Sequence, residues 1–201
     1  MMANRSHESH KLTYRFKLPG GQYRLREMIL YVSERNPDTE HFGLTKLNKT
    51  LWKADFSAFA GRGIPVTGRA YQRLHLGPAP IEMKPLLAEM LQDGQLELIY
   101  RFFGKNAEGE DIIEQRPIAK MTPVLRWFSG DDLSYVDAAI AYYRPFTGRE
   151  TSDDSHGIAW SSRNDLDPMP YESAIFSDER PEESHLNRLA AIGRENGWKS
   201  L

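Results

Sequence analysis

The side chains best suited to chemistry in this 201-residue chain are six histidines and one acidic group. The histidines are His7, His10, His41, His75, His156 and His185; the carboxylates are Asp153, Asp154, Asp165 and Asp167. Imidazoles and carboxylates hold a metal ion when the fold gathers three or four at ligand spacing. Only His7 and His10 are close in sequence, in a polar N-terminal stretch with nothing to organise a site. The four aspartates lack the spacing of a calcium loop and read as a solvated polar loop. There is no cysteine, hence no disulfide, no thiolate zinc site and no thiol nucleophile. Walker, GxGxxG, GxSxG and HExxH motifs are absent as well. No catalytic residue, metal or cofactor is therefore assigned. An enzyme ranks last among the functional readings; an ordered metal among His156, Asp55 and the acidic loop would revive it.

Asp55 poses a different problem, because its helix is otherwise apolar around it. A buried carboxylate must be paired or hydrogen-bonded, and a structural bond to a nearby backbone group or arginine is the expectation. Lys46, Lys49 and Lys53 lie together on the remaining face of that helix. Such a cluster usually marks a solvated face, although phosphates could also be met there. The net charge of −2 hides an asymmetry: residues 1–130 are net +5 and residues 131–201 net −7. The two parts could dock on each other or face partners of opposite charge. No apolar run approaches the ~20 residues of a membrane span, and the N-terminus has no signal-peptide core. The expectation is a cytoplasmic protein without membrane insertion.

The elements that must position these residues follow from hydrophobic periodicity. Alternation in "LTYRFKL" (12–18) predicts a half-buried strand closed by Pro19-Gly20-Gly21. Leu25, Met28, Ile29 and Val32 predict a helix stopped before Pro37. A second helix begins near Leu44, with Thr45 as cap and Gly61 or Gly63 as its end. Leu47, Leu51, Ala54 and Ala58 form its stripe, widened by Trp52, Phe56 and Phe59. A third helix uses Met83, Leu87 and Met90, opened by Pro80 and ended at Asp93-Gly94. "QLELIYRFF" and "DIIEQRPI" read as an antiparallel hairpin around Asn106 to Gly109. A fourth helix follows from Asp131 behind a Ser129–Asp132 capping box. Residues 145–180 read as irregular, and Pro181 opens a last helix. The fold class is mostly helical α+β, a compact helical domain with a small antiparallel hairpin or sheet. Its helix, link, helix and two-stranded order also matches a winged helix.

The stretch "LTKLNKTLWKADFSAFAGRGIPVTGRAYQRLHLGPAPIEMKPLLAEM" resembles the core of the Panacea domain, also called the SocA-like antitoxin domain. Matching positions are Leu47, Lys49, Leu51, Ala54-Asp55-Phe56, Gly63, Pro65, Gly68, Tyr71, Gly77-Pro78 and Pro80. "SHGIAW" supplies His156 and Trp160 for an "SH....W" element, and "MPYESAIF" is similar to a downstream "IPYE". The resemblance spans roughly residues 22–176, leaving an N-terminal tail and strand (1–21) and a C-terminal helical extension (177–201). Trp52-Lys53 and Ala79 depart from the usual residue types. Physically, Gly63 and Gly68 can adopt backbone conformations closed to other residues. Pro78 and Pro80 extend the residues before them, so "LHLGPAP" is first a fixed corner. His156 and Trp160, four apart, can meet on one helical turn, with His156 bonding a backbone group or Asp55.

The resemblance implies an antitoxin: a protein that neutralises a cognate protein toxin by direct contact. Arginine and aromatic anchors dominate interface energetics, and loop 62–80 with region 145–180 is rich in both. Arg69, Tyr71, Arg73, His75, Arg149, Trp160, Arg163 and Tyr171 are accordingly the candidate toxin face. Their alternative role is a satellite core of Tyr71, Trp160 and Tyr171. The second functional reading is a winged-helix regulator binding its own operon. Its recognition helix (81–92) would carry Glu82, Glu89 and Asp93 near a single Lys84, so nucleic acid is not expected. Homo-oligomerisation is left open.

Overall fold

Leu25, Met28, Ile29 and Val32 are fully buried along helix α1 (Tyr23–Glu34), as their spacing requires. The computed structural model describes residues 12–36, 41–105 and 109–175, with the isolated positions 191 and 194. Helix α2 (Leu44–Arg62) runs through the centre of the described residues. Leu47, Leu51, Ala54 and Ala58 point into the main core with α1, α3 (Met83–Gln92) and α4 (Gly130–Tyr143). Its opposite side supplies Phe56, with Trp52 and Phe59, to a second cluster around Tyr71, Met169 and Tyr171. Gly63 ends α2 at φ +75°, a left-handed conformation available to glycine. Its start differs from the expected Thr45 cap. Gly43 is the N-cap, and a Cβ there would lie 2.9 Å from the Glu114 side chain.

Between α2 and α3 the chain is not a short helical link. It forms β1 (Tyr71–Gln72) and β2 (Ala79–Pro80), which join β5 (Pro168–Met169) in an antiparallel sheet of order β2-β1-β5. Tyr71 pairs with Pro80 on one side and Met169 on the other. Pro80 therefore sits in an edge strand, where a missing N–H costs no ladder bond. It is Pro85 that occupies the first turn of α3, where the N–H would lack a helical partner anyway.

The long hairpin forms as expected from β3 (Leu96–Lys105) and β4 (Asp111–Ala119). Its turn lies partly outside the described residues. Pairing slips between Phe102 and Gly104, which makes Phe103 the extra residue of a bulge. Ser129 and Asp132 build the capping box of α4. Residues 145–175 are more ordered than their composition suggests, and 176–180 lie outside the described residues. They hold α5 (Gly148–Asp154), α6 (Ile158–Ser161) and a 3-10 turn (Tyr171–Ile175). Helices of seven and four residues are too short to show an apolar period. A Thr147–Glu150 capping box marks the first of them.

Residues 12–18 are not a strand. They run as an arm that bonds the body at separate points, Phe16 N–H to the Gly68 carbonyl (2.9 Å) and Tyr171 N–H to the Thr13 carbonyl (2.8 Å). The Phe16 ring anchors it against Phe59 and Tyr171, at centroid distances of 5.8 and 5.3 Å. The helix expected from Pro181 lies outside the described residues apart from Ala191 and Arg194, both helical. The architecture is mostly helical α+β.

Candidate functional site

The corner "LHLGPAP" is the tight turn that joins β1 to β2. Leu74 and Gly77 exchange backbone hydrogen bonds across it, and Gly77 adopts φ +98°. A side chain at Gly77 would be strained by that φ and would also strike Ser155 Oγ, and Lys49 Cε at 2.7 Å. Three alternate carbonyls of the corner are each held from a different element. Trp160 Nε1 donates to the Leu74 carbonyl (2.8 Å), Ser152 Oγ to Leu76 (2.9 Å) and Lys49 Nζ to Pro78 (3.0 Å). His156 stacks on Trp160 at 3.8 Å, and the Arg73 guanidinium covers the same indole at 4.0 Å. Burial pushes the Lys49 ammonium down to about 7. His156 is also lowered, first by burial and then by the positive Lys49.

A second lock closes around Asp55, which is 0% exposed. Its carboxylate accepts from Thr67 N–H (2.5 Å), the Thr67 hydroxyl and the Tyr71 hydroxyl (2.9 Å). The Tyr171 hydroxyl stands 3.3 Å away and donates to the Arg69 carbonyl at 2.6 Å. Burial raises the Asp55 carboxyl despite these donors, and it drives both tyrosines well above their ordinary value. The lock ties α2 to the loop, β1 and the 3-10 turn. Gly68 lets the arm approach, because a Cβ there (φ +69°) would press on Phe16 and Leu18 at 3.0–3.1 Å.

Outside these locks lies an open groove of about 920 Å³. One wall is the hairpin, with Phe103, Ile112 and Ile113; the other is α5 and α6, with Arg149, Ser152 and Trp160. The start of α2 and the corner residues His75 and Leu76 complete it. The bulge turns Phe103 toward the groove, where its ring lies 5.5 Å from His41. The hairpin itself exposes Ile99, Tyr100, Phe102, Phe103, Ile112 and Ile113 at 42–65%. Leu98, Tyr100, Phe102 and their cross-strand partners Ile113 and Gln115 alternate onto one face of it. Apolar side chains on both faces of an exposed hairpin mark an interaction surface rather than a core.

The structure sorts the expected partner residues into two groups. Tyr71 and Tyr171 are 0% exposed, so these two belong to the satellite core and not to a contact face. Arg69 is committed to Glu82 (Nε to Oε2, 2.8 Å), its side chain 11% exposed. Arg73 bonds Asp165 while covering Trp160. Arg163 bonds the Ala159 carbonyl within α6. His75, Arg149 and Trp160 do border the groove, and the Arg149 side chain is 92% exposed. Trp160 packs on His156 instead of joining Tyr71 and Tyr171.

The lysine face is a further correction. Lys46 and Lys49 are each only 2% exposed, their ammonium groups bonded to the carbonyls of Phe146 and Pro78, and Lys53 caps the Tyr142 ring at 3.7 Å. These nitrogens do not form the phosphate-contacting face a winged helix would need. His156 bonds near Ser152 (3.4 Å) and not to Asp55. Among the described residues no group of three or more His, Asp or Glu is placed to hold a metal, and no helix is long and apolar enough to cross a membrane. Sequence reasoning missed the exposed hairpin face and the Arg24–Asp132 pair (3.2 Å) beneath α4. The strand "LIYRFF" carried the first signal, since its apolar residues do not alternate.

The two locks thus border an open groove within a mostly helical α+β fold. The sequence model of the family described as "Antitoxin SocA-like, Panacea domain" matches residues 47–161, more than half of the chain. The protein belongs to that family of SocA-like antitoxins. No curated protein and no solved structure matches it.

Proposed function

We propose that this protein neutralises a cognate protein toxin by direct contact and catalyses no reaction of its own. Family membership supports the antitoxin role. The observation that carries direct contact is the hairpin, with Tyr100 and Phe102 at 65% and 60% exposure beside an open groove. Aromatic anchors of this type supply most of the energy in protein interfaces. His75, Arg149 and Trp160 are the members of the sequence-based set that would take part, and the two locks hold them in place. The unit proposed to act is residues 22–176, extended by the arm that packs on Gly68.

The test is co-expression with the product of the neighbouring reading frame, measured as growth and as co-purification. Relief of toxicity with a stable complex is the expected result. Persistent toxicity with both proteins soluble would end this reading.

A further inference from the structure

The hairpin leaves one long edge open. Among the described residues β3 pairs with β4 alone, and the two strands form a sheet of their own. Two strands without a third neighbour are marginal in water, and an unpaired edge is a template for another chain. The two edges of this sheet differ. β4 carries Pro117, which has no N–H, and Gly43 lies against its Glu114 side chain and Gln115 carbonyl. β3 has no proline, and from Glu97 to Phe103 every residue except Leu98 is exposed.

One bond fixes where the backbone groups of β3 point. Lys120 N–H donates to the Gln95 carbonyl (2.9 Å), one step before the Leu96–Ala119 pair. In an antiparallel ladder the bonded pairs alternate. Glu97, Ile99 and Arg101 therefore turn their N–H and C=O toward β4, and Leu98 and Tyr100 turn theirs to the open edge. The Leu98–Pro117 pair falls where the ladder asks for no proline N–H.

We propose that β3 pairs antiparallel with β3 of a second copy of this chain, about a two-fold axis at Ile99. In that register Leu98 exchanges backbone bonds with Tyr100 of the second copy, Glu97 faces its Arg101, and the two Ile99 side chains meet. Opposite charges directly across a strand pair stabilise it, and like charges oppose it. An axis one residue to either side would set both charges against apolar or amide neighbours. An axis on Glu97 or Arg101 would set like charges together. The charges thus select Ile99. Neither is strongly committed within one chain. Glu97 meets Lys120 at 3.1 Å with both side chains half in solvent, a bridge of little strength. Arg101 reaches only the Phe103 ring, at 5.4 Å, among the described residues. A contact of this kind uses one patch twice and closes at two chains. Alternation places Leu98, Tyr100 and Phe102 of both copies on one face, so pairing joins two apolar faces into one. This pairing stands apart from the neutralisation reading, since no toxin takes part in it.

The test follows the full chain, without toxin, by sedimentation across a concentration series. A monomer–dimer equilibrium is expected for the unaltered chain. Arg101→Glu and Glu97→Arg each turn two favourable pairs into two unfavourable ones, and each should weaken the dimer at least tenfold. Mixed in equal amounts, these two variants should form a heterodimer. The exchanged variant Glu97→Arg/Arg101→Glu should dimerise as the unaltered chain does, so recovered association shows that lost association was not misfolding. The chain has no cysteine, which makes Ile99→Cys a second readout. Residues facing each other in a non-bonded pair have a Cα separation that suits a disulfide. Oxidation should link Ile99→Cys chains at least tenfold faster than Lys105→Cys chains, whose thiols stand far from the axis. A chain that stays monomeric at every soluble concentration overturns the pairing. So does a dimer that keeps its affinity in both charge variants, or one that Lys105→Cys links as fast as Ile99→Cys.

Discussion

Helix α2 and the β3–β4 hairpin invert the usual distribution of side chains in opposite directions. The helix buries two lysines and an aspartate: Lys46, Lys49 and Asp55 are at most 2% exposed. The hairpin leaves six large apolar side chains between 42% and 65% exposed. Each inversion costs free energy, but only one is settled among the described residues. Each buried charge meets at least one partner inside the fold, a carbonyl for each lysine and hydroxyls and a backbone N–H for Asp55, and buried polar groups persist where they are bonded. The exposed aromatics of the hairpin meet nothing comparable. The difference teaches that α2 carries residues bonded within the fold, and that the hairpin carries those our proposal assigns to the partner.

The largest break in this comparison should come from Asp55→Ala. It orphans the Thr67 and Tyr71 donors in a dry site, at about 1–3 kcal/mol for each unsatisfied group. A loss of about 3–5 kcal/mol is expected in thermal unfolding, enough to lower Tm by roughly 10 °C. Asp55→Asn, which keeps an acceptor, should lose less.

Lys49 gives a pH signature of the lock at the corner, where it bonds the Pro78 carbonyl. In the fold its ammonium titrates near 7; in the unfolded chain it stays protonated up to the ordinary 10.5. Between those values the unfolded chain binds more protons, so stability rises with pH through that window. The rise is on the order of a few kcal/mol, and Lys49→Met should flatten it in denaturant titrations from pH 7 to 10. A rise of the same size in the variant would place its origin elsewhere.

Gly77→Ala should cost about 2 kcal/mol, because it combines a positive φ with a clash against Ser155. An unchanged Tm would show that the corner yields. At the other end of the scale, Tyr100→Ser and Phe102→Ser should each move stability by less than ~0.5 kcal/mol, as exposed positions do.

Much of this layout was legible in the sequence. The period of α1 and α2, the glycine end of α2, the hairpin and the Ser129 capping box follow from local rules that tertiary packing did not override. Asp55 was legible as a bonded core group, although its partners, a threonine and two tyrosines as much as 116 residues away, were not. Lys46 and Lys49 misled, because a lysine stem can reach inward to a carbonyl and periodicity sees only its charge. Tyr71 and Tyr171 misled in the opposite sense, since an aromatic in an irregular region looks available until β1 and β5 close over it. The hairpin face went unread because its lack of alternation is equally the mark of a strand buried on both sides. Only the three-dimensional arrangement shows that both sides are open.

The most direct test of the central claim is a paired measurement on the Tyr100→Ser/Phe102→Ser double variant: thermal unfolding, and calorimetric affinity for the purified toxin. The account predicts a melting temperature within about 2 °C of the unaltered chain and an affinity loss of about 100-fold, the size expected when two anchors are removed. Unaltered affinity, or a collapse of the fold that accounts for lost binding, would contradict the assignment of the hairpin to the partner.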